Sequence, residues 1–117
     1  MIETPSSDPL HMIDALNAKH LIDEGEITVI DVRTKPEIEE SGVIGDAAWI
    51  DFRDPDFVEK MNALPKNTVY LIYCQSGVRG LKAGQMMEKL DFSSIYVLQG
   101  GILTWMRAGL PLLHQEI

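Results

Sequence analysis

The sequence predicts an α/β protein in which a parallel sheet is covered by helices on both faces. Apolar, β-branched runs at 27–32, 68–73 and 95–98 are bounded by turn residues and suit strands buried on both faces. Segments of helical spacing separate them, the clearest being Ala83, Met86, Met87 and Leu90 at i, i+3, i+4 and i+7. Strands alternating with helices of about ten residues pair in parallel, because each crossover helix returns the chain to the same end of the sheet. The 117 residues fit one domain, and a domain of this size buries about two thirds of its unfolded surface without staples.

Taken in order, residues 1–12 read as an irregular lead-in rich in proline and serine, 13–112 as the single domain and 113–117 as a tail. Asp14 is placed to cap a first helix with Ala15, Ala18, Leu21 and Ile22 on one face, and Gly25 closes it. The strand at 27–32 carries Asp31 near its end, followed by Arg33. A short helix follows with Pro36 in its first turn and Glu37, Glu39 and Glu40 behind. Residues 41–50 read as a turn and a short strand. Phe57, Val58, Met61 and Leu64 form an amphipathic helix that Pro65 stops. Strand 68–73, a loop, a helix over 81–90, strand 95–98 and a last helix over 102–108 complete the pattern. Trp49, Trp105 and the six methionines are expected in the core.

The formal charge of −8 argues against nucleic-acid binding through phosphates. No apolar stretch approaches a membrane span. A single cysteine excludes an internal disulfide and a cysteine-rich zinc site, and His11, His20 and His114 show no metal-binding spacing, so neither metal nor cofactor is expected. A lone reactive thiol suits a reducing compartment, which points to the cytoplasm.

That cysteine opens the segment Cys74-Gln75-Ser76-Gly77-Val78-Arg79-Gly80, between a strand and a helix. A strand end, a tight glycine loop and a helix N-terminus aim backbone N–H groups into one small volume, which favours an anion. With Cys74 at its base, those amides and the helix dipole stabilise thiolate over thiol, and Cys74 becomes a nucleophile. A free cysteine on a strand end is commonly just a small buried hydrophobe. Here the glycines, Ser76 and Arg79 have no obvious packing purpose, and a guanidinium fork suits an oxyanion. Arg79 can instead turn away to pair with a carboxylate such as Asp31, and Ser76 can join the cradle or cap the helix. Ligands in open α/β sheets sit beyond the carboxyl ends of strands. Asp31 and Arg33 therefore either support the Cys74 loop or form structure alone, Arg33 pairing with Glu37.

Several segments together resemble a rhodanese domain: Asp31-Val32-Arg33 with Glu37, Gly42-Val43-Ile44 running into Ala47, the cysteine loop, Gly100-Gly101 with Trp105, and Gly109-Leu110-Pro111. The resemblance covers residues 13–112 and implies a central five-stranded parallel sheet flanked by helices on both faces. It also implies a sulfurtransferase: Cys74 takes sulfane sulfur from thiosulfate, a polysulfide or a protein persulfide, holds it as a persulfide and passes it to cyanide or a thiol. Gln75, Ser76, Gly77, Val78 and Arg79 are then the cradle. Cysteine phosphatases of related design place the arginine six residues after the cysteine, whereas Arg79 follows Cys74 by five, a loop tight for phosphate. Gln75 stands where members active on thiosulfate often carry a basic residue, a change worth about 1–2 kcal/mol against a dianion. Val43 and Gly80 replace a common histidine and a common serine. A non-catalytic rhodanese module that binds a protein partner is the alternative, and a small phosphatase a more distant one.

Overall fold

The computed structural model describes residues 8–114. Its elements alternate as expected: β1 (Leu10–Ile13), α1 (Ala15–Glu24), β2 (Thr28–Asp31), α2 (Lys35–Ser41), β3 (Ala48–Trp49), α3 (Phe57–Asn62), β4 (Val69–Tyr73), α4 (Val78–Lys89), β5 (Ser94–Leu98) and α5 (Gly101–Arg107). The five strands form one sheet in the order β1-β5-β4-β2-β3, and every pairing is parallel. The central strand β4 aligns Tyr73 with Asp31 of β2.

Alternation along the strands sends side chains to two separate cores. On one face Val29, Leu71, Tyr73 and Leu98 pack with Ala18, Ile102 and Trp105 from α1 and α5. On the other, Ile30, Tyr70, Ile72, Ile95 and Val97 pack with Met61 of α3 and Ala83 and Met87 of α4. Period-2 alternation on strands and 3.6-residue spacing on helices create this division. Tyr70 and Phe92 meet edge to face at 5.5 Å, a geometry that adds about 0.5–1.5 kcal/mol to area burial.

Four expectations are corrected. The lead-in proposed for 1–12 contains an edge strand, β1, which pairs with β5 from Leu10 to Ile13; residues 1–7 lie outside the described residues. An edge strand has one neighbour and needs less apolar sequence, so four residues behind Pro9 left little signal. The tail proposed from 113 begins with a bridge between Leu113 and Val43, while 115–117 lie outside the described residues. Trp49 is 48% exposed instead of buried, because it sits on the two-residue edge strand β3, and its indole N–H donates to the Arg33 carbonyl at 2.7 Å. Trp105, Met61 and Met87 are buried as expected, whereas Met12 and Met106 are half exposed. Among the described residues no helix is long and apolar enough to cross a membrane.

Candidate active site

The alternation that divides the cores also aims the cysteine. Tyr70, Ile72 and Cys74 fall on the α4 side of β4, and Cys74 is buried there. The chain then turns through Gln75 and Ser76 to Gly77, which caps α4 with φ at 108°, a backbone conformation that only glycine adopts without strain. The helix begins at Val78 rather than 81, because the glycine at 80 made its first turn read as loop. This early start builds the site. First-turn amides have no partner inside their own helix, and the N–H groups of Gly77 and Gly80 both donate to Cys74 Sγ, each at 3.1 Å. No side chain caps α4, Ser76 included.

A second helix end holds the loop from behind. The N–H groups of Ile102 and Leu103, at the start of α5, donate to the carbonyls of Cys74 and Gln75 at 2.9 and 3.2 Å. That approach requires Gly101. A Cβ there would lie 2.4 Å from the Gln75 oxygen and 2.6 Å from the Cys74 oxygen, at a φ of +65°. The Gly100-Gly101 pair was visible in the sequence; the contact of Gly101 with Gln75 and Cys74 was not.

The two arginines exchange the partners expected of them. Arg33 is fully buried and grips Asp31, with Nη2 on Oδ2 at 2.7 Å and Nε on both oxygens at 3.0 and 3.1 Å. Its remaining N–H groups reach the Gly42 carbonyl, Ser41 Oγ and the Glu37 carbonyl, and one lies 3.4 Å from Gln75 Oε1. Glu37 instead takes Arg79, in a bidentate pair with both distances 2.7 Å. The pairing of Arg33 with Glu37 and that of Arg79 with Asp31 are both replaced. Asp31 precedes Arg33 by two residues on the strand end and faces the same core, so the buried guanidinium meets it first. Glu37 Oε1 also accepts from Thr34 N–H and Oγ at the start of α2. Hydrogen bonding from Arg79 holds the Glu37 carboxyl well below its ordinary range, at about 2, and the same bond raises the Arg79 guanidinium.

The chain matches the Rhodanese-like domain family over residues 14–108. It belongs to that family. A sulfurtransferase of Allochromatium vinosum is 31% identical over 99 residues, spanning 85% of this chain and 90% of that protein. The rhodanese-like domain-containing protein 17 of Arabidopsis thaliana is 29% identical over 97% of this chain and 81% of its own length. Among solved structures, a rhodanese-related protein from Thermoplasma volcanium superposes with a TM-score of 0.79 at 26% identity, covering 90% of this chain and 99% of that one.

In this rhodanese domain a cleft of about 350 Å³ opens against Gln75, the residue after the cysteine. It is lined by Glu37, Glu40, Ser41, Gln75, Leu103 and Met106. Among the described residues, lysine and arginine do not contribute to its walls. Among the described residues no group of three or more His, Cys, Asp or Glu could hold a metal ion. The site therefore assembles a buried sulfur, two backbone donors aimed at it and a neutral amide beside it, while its two cationic side chains are spent on carboxylates.

Proposed function

We infer that this rhodanese domain is a sulfurtransferase that carries sulfane sulfur as a persulfide on Cys74. The observation behind the reading is the pair of amides 3.1 Å from Sγ. Preorganised N–H donors at a helix N-terminus stabilise a thiolate, and then the persulfide anion that replaces it, without a general base. In the first half-reaction the Cys74 thiolate attacks the outer sulfur of the donor. A bond forms between Sγ and that sulfur, the donor's own S–S bond breaks, and its electron pair leaves with the remainder: sulfite from thiosulfate, or a polysulfide one atom shorter. In the second, cyanide or a thiol takes the outer sulfur and the electron pair returns to Cys74. Gln75 to Arg79 form the cradle, with Arg79 holding its shape through Glu37, while Asp31 and Arg33 support it from below.

The charge arrangement bears on the donor. Arg79 is committed to Glu37 and Arg33 to Asp31, and Gln75 is neutral. A dianion such as thiosulfate gains little here, and an organic polysulfide or a protein persulfide, which brings no second negative charge, suits the site better. A free thiol in this role fits the reducing cytoplasm.

Intact-protein mass spectrometry tests the reading. Reduced protein is incubated with thiosulfate and, separately, with an organic polysulfide, beside Cys74→Ser. The expected result is a gain of one sulfur atom that requires Cys74, is larger with polysulfide and disappears on adding cyanide or a thiol. If neither donor loads the thiol while an alkylating agent still reaches it, the persulfide reading fails and a partner-binding module takes its place.

A further inference from the structure

Resting on the sulfurtransferase reading, we propose that Glu40 sets the charge preference of the site and selects acceptor thiols that carry an ammonium group. Glu40 and Glu37 are the two carboxylates of the cleft beside Gln75, and their situations differ. Glu37 is consumed by Arg79. Glu40 is exposed, and its carboxylate makes no ion pair or hydrogen bond among the described residues. It lies in the last turn of α2, which contains no basic residue. The carbonyl end of a helix already carries partial negative charge, so an unpaired carboxylate there adds to the local field.

The part of the lining that α5 supplies has a different chemistry. Leu103 and Met106 on α5 are large apolar side chains left 41% and 45% exposed. A carboxylate and an aliphatic surface lining one cleft match a ligand with a short hydrocarbon stem and a cationic head. Among thiol acceptors that ligand is an aminothiol. Its sulfur bonds to the outer sulfur of the Cys74 persulfide, and the bond between that sulfur and Sγ breaks. The electron pair stays on Sγ as the thiolate, and the proton of the acceptor thiol remains on the product persulfide.

The test compares discharge of preloaded protein by cysteamine, 2-mercaptoethanol and 3-mercaptopropionate, which differ in charge, for the native chain, Glu40→Gln and Glu40→Lys. The ratio of cysteamine to mercaptopropionate rate constants is expected to fall roughly three- to tenfold in Glu40→Gln, the scale of one partly screened charge. It falls further in Glu40→Lys, while the neutral thiol is unchanged throughout. Added salt shrinks the native ratio toward that of Glu40→Gln. A cationic and an anionic methanethiosulfonate reacting with the unloaded thiol read the same preference without any sulfur transfer. Ratios equal across all three proteins in both assays overturn the proposal. A ratio that follows Glu40 with the methanethiosulfonates, in a protein that takes up no sulfur, upholds charge selection and removes the sulfurtransferase reading alone.

Discussion

Arg33 is a full charge with no access to solvent, and it persists because each donor of its fork meets an acceptor on the strand end, on α2 or in the turn after it. Among the described residues no buried side-chain nitrogen or oxygen lacks a partner. Burial opposes the charge, but the hydrogen bonds and attraction from Asp31 and then Tyr73 outweigh it, so its pKa is raised. Burial, reinforced by Asp31, also pushes Tyr73 upward and keeps its phenol neutral. Arg33→Ala leaves Asp31 as an uncompensated buried charge and is expected to cost about 3–5 kcal/mol in denaturant unfolding. Arg33→Lys keeps the charge but not the planar fork, and its loss should be intermediate. Glu37 offers a pH readout. Its folded value of about 2 lies below the ordinary 4.5, so its contribution is present above the unfolded value and is lost as pH falls between the two. Across that window the urea midpoint of the native protein should drop more steeply than that of Glu37→Gln. At this scale the residue types at 31, 33, 37 and 79 were legible, because charged groups at strand ends and in the first turns of the helices that follow are conspicuous beside an apolar run. Which carboxylate meets which arginine was not, since that depends on the α2–α4 approach across 42 residues.

Among the elements, α4 and α5 pin the cysteine loop between two helix N-termini, and close packing is what allows it. A Cβ on Gly84 would lie 2.6 Å from Val97 Cγ2, so glycine lets α4 lie against β5. Gly84→Ala is expected to cost about 1–3 kcal/mol by overpacking, with α4 displaced and alkylation of Cys74 altered. Gly101→Ala should weaken the loop more directly, since its new methyl group meets two carbonyl oxygens held by α5. α1 was readable to its caps, with Asp14 accepting from Asn17 N–H at 2.8 Å and Gly25 at its end. The start of α4 was not, because helix propensity counts glycine as a breaker and cannot register amides satisfied by a sulfur.

Across the whole molecule, the order β1-β5-β4-β2-β3 makes β4 the strand with neighbours on both sides nearest the middle, and its residues from Tyr70 to Tyr73 are all buried. Amide hydrogen exchange should be slowest there, requiring global unfolding, and faster in the edge strands β1 and β3. Equal protection of edge and centre would contradict this. The general architecture was legible because buried central strands are written as apolar runs, whereas edge strands, paired on one side, leave few letters in the sequence. The reactive end of the fold follows from the same order: β2 and β4 are adjacent and parallel, so the Asp31–Arg33 turn and the Cys74 turn emerge side by side at one rim.

If Cys74 carries sulfur as proposed, its near-complete burial bears on which sulfur an acceptor attacks. A protein persulfide offers an incoming thiol two electrophilic positions. Attack at the inner one would expel hydrosulfide and leave a mixed disulfide, a dead end for a chain with no second cysteine to resolve it. Thiol–disulfide exchange needs a near-linear approach to the sulfur being attacked, and at Sγ the surroundings are closed by the amides of Gly77 and Gly80 and by the packed core. Under the proposed function the inner sulfur is then the shielded one, and an acceptor thiol is directed to the outer sulfur.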